Sequence, residues 1–417
     1  MRTEEHLPMR ILFLSRWFPY PPDNGSKIRI FNILKQLSRQ HEVSLLTFYE
    51  SSDRVNEHSL GVLKEICVDV QAFPYQPFRP SSFKALLGFL SREPRYLVDT
   101  YSAAMASAVE ENVRMGGVGL VVVSQLGMVP YARHVGGLPA LLEELELTSF
   151  IDSVKRGKTP QQRARSLLTW LKLVAYLRRV LPRFAGCTVV SELEKECVRK
   201  TVPGYDAVQV IPNAIDISCY EGYFGAPQPD TLVFSGALTY TANYDALSYF
   251  LKDIYPLILQ TVPNATLRVT GRTDGVDLAS LPNYSGVQYM GYVDDIRPVV
   301  AQSWVSVVPL RVGGGTRLKI LESMALGTPV VSTSKGVEGL EVTDGDNVLI
   351  ADSPNEFSAK VVALLRLKEL RSRLAAGGRR LVEARYDWRT IGDDLCELVE
   401  RAAGMEHLAC KSTVTVS

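Results

Sequence analysis

The sequence predicts an α/β protein built from two parallel-sheet domains, and three observations carry that expectation. Short runs of β-branched and aliphatic residues alternate with helical patterns along the chain. The runs show little polar alternation, as strands covered on both faces do. The pattern then stops and restarts around a proline-bearing stretch that begins near Asn213. At 417 residues the chain also exceeds the size of most single domains.

The elements follow in order. "RILFLS" near Ile11, "VSLLTF" near Val43, "GLVVVS" near Val121, "ALLEE" near Leu141, "CTVVS" near Val189 and "VQVIP" near Val210 are the strands of a Rossmann-like first domain over 9–212. Residues 213–230, with Pro227 and Pro229 and few periodic apolar positions, predict a linker. "TLVFSG", "ATLRVTG", "VQYMG", "WVSVVP", "PVVST" and "NVLIA" then supply a second doubly wound domain over 231–385, with a helix from about Asn243. "YDWRTIGDDLCELVERA" opens a last helix over 386–405 that no strand follows, and it is expected to return to the first domain.

Composition narrows the class. Hydrophobic residues make up 46% and charged ones 22%, the balance of a globular chain rather than a disordered one. A net charge of +1 gives no field that would gather nucleic acid. The six cysteines lack paired short spacings, which argues against a zinc site and a disulfide framework. "MRTEEHLPMRILFLSRWF" lacks the form of a signal peptide, and no apolar run nears the roughly 20 residues of a membrane span, so a cytoplasmic location is expected. From Lys155 through Arg183 the chain carries nine Lys or Arg residues and no carboxylate. Leu168, Leu171, Val174 and Tyr176 there suit a packed helix with a solvated face. The same segment, 155–183, also suits peripheral contact with an anionic membrane surface.

The segment richest in chemistry is "VGGGTRLKILESMALGTPVV", from Val312 to Val331. Its order is strand, glycine loop, helix, which in an open parallel sheet is where ligands sit. Gly313, Gly314 and Gly315 let backbone amides approach an anion, and a helix starting near Thr316 adds positive potential at its N-terminus. Arg317 and Lys319 fall in the expected first turn, where cations are disfavoured unless an anion offsets them. Glu322 offers an acceptor-only carboxylate suited to a pair of hydroxyl donors. Against this stands a glycine-rich turn before a core helix with solvated charges. The full string favours ligand binding.

The segment "KILESMALGTPVVST" resembles the donor-binding region of the GT-B retaining glycosyltransferases of glycosyltransferase family 4. Similar stretches cover nearly the whole chain: "FPYPPDNGSKIRIFNILKQLSRQHEVSLLTF", "VVSELEKECV", "VIPNAIDI", "FSGALTYTANYDALSYF" and "MGYVDDIRPVVAQSWVSVVPL". The resemblance implies two Rossmann-like domains facing across a cleft, a nucleotide-sugar donor held by the second, and a glycan, lipid-linked or other small-molecule acceptor. It implies that Gly25 in "PPDNGSK" faces the donor phosphates and the acceptor, and that Glu322 holds the ribose. The family's other glutamate, eight positions earlier, is Gly314 here, and backbone amides from Gly314 to Thr316 are the candidate substitutes. The Arg and Lys that relatives place on the diphosphate are missing from "SGALTYTANYDALSYF". The diphosphate role therefore passes to Arg317 and Lys319, with Gly236 and Asn243 lining the site. Asn243 equally fits a helix N-cap.

Many relatives carry a histidine after the fifth strand, whereas "PALLEELELTSF" has none. Glu143 and Glu144 are the nearest polar candidates for acceptor contact. His134 fits a structural role. The retaining mechanism proposed for the family needs no such base, because a donor phosphate oxygen takes the acceptor proton. Asp344 and Asp346 in "TDGDN" fit a turn, and Asp294 and Asp295 fit a helix entry, so no metal site and no cofactor beyond the nucleotide-sugar substrate are expected. A binding-only relative and a nucleotide-sugar epimerase stay open as alternatives. A nicotinamide enzyme lacks its Gly-x-Gly-x-x-Gly after the opening strand.

Overall fold

A computed structural model describes residues 8–404, apart from 52, 54, 157–158 and 314–316. The chain divides into two compact units, one of Met1–Ile211 with Gly392–Ser417 and one of Pro212–Ile391. Each is a parallel sheet flanked by helices.

The first unit has a seven-stranded sheet: β1 (Arg10–Ser15), β2 (Glu42–Tyr49), β3 (Asp69–Pro74), β4 (Val118–Ser124), β5 (Ala140–Glu143), β6 (Gly186–Val189) and β7 (Val208–Val210). The order is β3-β2-β1-β4-β5-β6-β7. Ile11 pairs with Val43 on one side and Leu120 on the other, and all three are fully buried. Strands covered on both faces need no polar alternation, which is why β1 and β4 read as unbroken apolar runs. β3 was not anticipated. Its residues, DVQAFP, mix acidic, amide and apolar side chains and end on a proline, and all are at least partly exposed. Such a strand is tolerated at a sheet edge, where the missing proline N–H faces no neighbour.

The second unit has six strands: β8 (Thr231–Ser235), β9 (Thr266–Thr270), β10 (Val287–Gly291), β11 (Val305–Val308), β12 (Val330–Ser332) and β13 (Leu349–Ile350), in the order β10-β9-β8-β11-β12-β13. Its core gathers Leu232, Phe234, Phe250, Ile320, Leu321 and Phe357, all at most 1% exposed. The stretch expected as a linker is packed into this unit. Ile215 and Ile217 are buried, and Ile215 bridges the chain at Asp387.

The helix Trp388–Ala402 passes Gly392 against the side chain of Gln36 and ends in the first unit, where Cys396 is buried. No described helix is long and apolar enough to cross a membrane.

Candidate active site

In a doubly wound sheet, ligands collect at the carboxyl ends of the strands where the order reverses. In the second unit that point lies between β8 and β11. Glycines with positive φ stand at the ends of three strands: Gly236 (141°) after β8, Gly271 (114°) after β9 and Gly291 (66°) closing β10. A Cβ on Gly271 would fall 2.4 Å from the carbonyl carbon of Gly236, so these two chains meet backbone to backbone. A Cβ on Gly236 would fall 2.6 Å from Lys319 Nζ and 2.7 Å from Asn243 Nδ2. The strings "FSG", "VTG" and "YMG" carried this signal, though only Gly236 was singled out from them.

Lys319 stands on the helix Leu318–Ala325, which follows β11. Its ammonium donates to Asn243 Oδ1 at 3.0 Å and lies 5.4 Å from the centre of the Phe234 ring. Asn243 Nδ2 donates to the Ala237 carbonyl at 2.9 Å, which fixes the amide so that its oxygen faces the lysine. Asn243 lies inside the helix Thr241–Tyr249, whose N-cap is Tyr240, so the N-cap alternative for Asn243 gives way to a tertiary role. Burial, reinforced by Arg317 and opposed by Glu322, pulls the Lys319 pKa down to about 7.

Arg317 occupies the N-cap position itself (φ −89°, ψ 81°), one residue before the helix rather than in its first turn as expected, and is 9% exposed. It packs on Gly313 (φ 106°), where an added Cβ would lie 3.3 Å from Arg317 Nη2 and 3.2 Å from the Tyr240 hydroxyl. Gly314, Gly315 and Thr316 lie outside the described residues.

Glu322 sits one turn beyond Lys319, and its Oε1 accepts the Tyr220 hydroxyl at 3.0 Å. Burial pushes its pKa above the usual carboxylate range, while Tyr220 and Lys319 act the other way. Tyr220 belongs to the short 3-10 turn Ile217–Tyr220, inside the expected linker, and was missed because nothing local marks a single aromatic there. Ser235 was missed as well. It is 9% exposed and its hydroxyl has no hydrogen-bond partner among the described residues, which is unusual for a buried polar group outside a binding site.

In the first unit the order reverses between β1 and β4. Gly25 opens the helix Gly25–Leu37, with Asn24 as its N-cap accepting from Lys27 N at 3.1 Å. Lys27, in the first turn of that helix, is neutralised by Asp53 at 2.9 Å and Asp23 at 3.1 Å.

Glu143, the last residue of β5, is fully buried. Its Oε1 meets Arg29 Nε at 2.6 Å and its Oε2 accepts from Ser124 Oγ at 2.6 Å. The acceptor contact expected of Glu143 therefore does not fit its surroundings, since both oxygens are committed inside the core. Glu144 differs. It holds a left-handed φ of 56°, beside Gln125 at 71°, whose Nε2 donates to Glu144 Oε2 at 2.6 Å. Burial and then the neighbouring Glu143 push the Glu144 pKa up to about 7. Two non-glycine residues held in this region at the carboxyl end of a sheet indicate backbone strain retained at a site. His134 is bonded to Glu110 at 2.6 Å and to the Tyr101 hydroxyl at 2.8 Å.

Asp344 accepts from Ile350 N at 2.8 Å and pairs with Lys360 at 3.0 Å, as a turn residue does. Among the described residues, no three His, Cys, Asp or Glu side chains gather to hold a metal ion.

Residues 229–367 match the family model described as glycosyl transferases group 1. An uncharacterized protein from the cps region of Klebsiella pneumoniae is 21% identical over 168 residues, 38% of this chain and 43% of its own length. An uncharacterized glycosyltransferase of Methanocaldococcus jannaschii is 30% identical over 110 residues, 25% of this chain and 31% of its own. The matches thus span less than half the length of these relatives. Among solved structures, Anabaena HepE in complex with UDP-glucose superposes with a TM-score of 0.66 at 16% identity, covering 94% of this chain and 100% of that one. Sucrose-phosphate synthase from Thermosynechococcus elongatus gives a TM-score of 0.66 at 15% identity over 95% of this chain and 100% of the other. The chain has the GT-B fold of these structures, and residues 229–367 are the part similar to the glycosyl transferases group 1 family.

Proposed function

We propose that the protein is a glycosyltransferase that moves a sugar from a nucleotide-sugar donor to a glycan or glycolipid acceptor, with retention of anomeric configuration. The observation that carries this is Lys319: a half-buried ammonium fixed by Asn243 at 3.0 Å, over glycines that leave no side chain between it and the end of β8. Its lowered pKa makes the lysine a group that gains a full charge when an anion arrives. The donor diphosphate is that anion. As the sugar–phosphate bond breaks, negative charge grows on the leaving phosphate, and fixed cations at Lys319 and Arg317 act more strongly in the transition state than in the ground state.

Gly236, Ser235 and Gly313 supply donors to the same phosphates, the backbone amides of Gly314, Gly315 and Thr316 are proposed as further donors, and Glu322 takes ribose hydroxyls while Tyr220 fixes its orientation. In the first unit, Gly25 supplies an amide from the first turn of its helix, where amides lack intrahelical acceptors. Glu144 takes the acceptor role there in place of Glu143. No metal is required in this scheme. HepE was solved with UDP and UDP-glucose, so UDP-sugars are the first donors to examine.

Calorimetry with UDP, GDP and ADP, followed by nucleotide release from a panel of nucleotide sugars with and without acceptors, tests the proposal. Binding with acceptor-dependent release supports it. Binding without any release identifies a binding-only relative, and no binding at all refutes it.

A further inference from the structure

Two exposed features of the first unit lie together, and neither contains a residue assigned to the donor site. The short helix Phe83–Leu87 and the turn after it hold five apolar side chains in solvent: Leu90 is 89% exposed, Phe83 75%, Phe89 59%, Leu86 51% and Leu87 49%. The helix Pro160–Val180 turns Leu168 (65%) and Leu171 (54%) outward as well, which corrects the packed positions expected for those two. Lys172 joins the two features, since its ammonium donates to the carbonyls of Gly88 at 2.7 Å and Phe89 at 3.0 Å.

The exposed turn is braced. Asp99 accepts from Arg79 N at 2.7 Å and from the Ser82 hydroxyl, Ser82 Oγ caps Ala85 N at 3.0 Å, and Arg95 Nε donates to the Ala85 carbonyl at 2.8 Å. A contiguous apolar patch held out on a fixed scaffold marks an interaction site, unlike apolar side chains scattered singly over a surface.

Charge says what covers it. Between Phe78 and Arg95 stand Arg79, Lys84, Arg92 and Arg95 against Glu93 alone, and 155–183 carries nine cations and no carboxylate. At the far end of the long helix, Tyr176, Arg179 and Arg183 join Arg133 and Glu93 in lining a cavity of about 370 Å³. Aromatic and leucine side chains amid cations match the chemistry of an anionic leaflet, where apolar groups enter the acyl boundary and the cations meet headgroup phosphates. An apolar protein partner would not call for so one-sided a charge.

We propose that this surface docks the first unit on an anionic phospholipid leaflet, with Phe89, Leu90, Leu168 and Leu171 entering the acyl boundary. The proposal stands apart from the transferase reading, because it uses no residue of the donor site. It is tested by co-sedimentation of the full chain with vesicles of phosphatidylcholine alone or mixed with phosphatidylglycerol. The expected result is binding to the anionic vesicles only, reduced at least about tenfold in roughly 1 M salt, where the screening length is about 3 Å.

The double variant Phe89→Asp with Leu90→Asp is expected to lose binding at least about tenfold with a melting temperature nearly unchanged, because both side chains are largely exposed and the new carboxylate at position 89 keeps a charged partner in Arg95. Leu168→Asp with Leu171→Asp serves as an independent second variant. Failure of the wild-type chain to sediment with anionic vesicles overturns the proposal, as does equal binding to neutral vesicles or full binding by both folded variants. Self-association that the variants abolish, without vesicle binding, overturns it in favour of a second copy of this chain.

Discussion

Lys319 Nζ lies 3.0 Å from Asn243 Oδ1, joining the helix after β11 to the helix after β8 across the point where the strand order reverses. Asn243 carries no charge to balance the ammonium. The pair therefore orients the cation without neutralising it, and leaves it for a ligand. Replacing Lys319 with Ala is expected to lower turnover about 100-fold to 1000-fold, the usual cost of one fixed donor to a developing anion. The fall in turnover is expected to exceed the rise in donor KM. Steady-state kinetics with a saturating acceptor check this.

The pH dependence follows from the same residue. The Lys319 pKa falls from 10.5 to about 7 in the folded protein. Between those values the native state binds fewer protons than the unfolded chain, so this group's contribution makes stability rise with pH across that window, and its destabilising effect is fully present below about 7. A bound diphosphate restores the proton. Donor affinity is thus expected to be highest below about pH 7 and to weaken by up to about tenfold per pH unit above it. Calorimetry with a nucleotide sugar, whose phosphates do not titrate in that range, should show this slope for the wild type and lose it for Lys319→Met.

Glu322 and Tyr220 should separate binding from chemistry. Glu322→Ala removes charge-assisted hydrogen bonds to the ribose and is expected to weaken nucleotide binding roughly 10-fold to 100-fold, with turnover at saturation less affected. Tyr220→Phe keeps the carboxylate and loses its orientation, so less than about tenfold is expected. Competition between nucleoside diphosphates and 2′-deoxy analogues checks the assignment, because the deoxy analogue, with one hydroxyl fewer for the carboxylate, should be less sensitive to both substitutions.

Gly236 tests the space above the lysine. An alanine there would place its methyl 2.6 Å from Lys319 Nζ at a φ of 141°, so the lysine must move or the backbone must strain. Gly236→Ala is expected to lower both the melting temperature and donor affinity. Unchanged affinity in a folded variant would remove Gly236 from the site.

The adjacent pair Glu143 and Glu144 should divide stability from activity. Glu143→Ala removes the carboxylate paired with the fully buried Arg29 guanidinium and is expected to cost about 3–5 kcal/mol of stability. Glu144→Gln keeps the shape and is expected to lower acceptor kcat/KM with the melting temperature nearly unchanged. Thermal melts and acceptor kinetics on the two variants distinguish these outcomes.

Much of the fold was legible because buried parallel strands need unbroken apolar runs, as β1, β4 and β8 show. β3 was not, since an edge strand exposed along its length keeps no such run. At the site, Lys319 and Glu322 could be read from their spacing on one short helix. Tyr220 could not, because its meaning comes from a carboxylate 102 residues later in the chain. Asn243 was ambiguous for the same reason: an asparagine near a helix start looks like a cap until its partner Lys319 is known. Glu143 and Glu144 looked equivalent in sequence, and only the burial of Arg29 against one of them separates the two.

The most direct test is a crystal structure of the protein with a nucleoside diphosphate. The diphosphate oxygens are expected within hydrogen-bond distance of Lys319 Nζ and the Arg317 guanidinium, with the ribose hydroxyls on Glu322. A nucleotide bound elsewhere on the chain, with Lys319 still held by Asn243, would contradict the assignment.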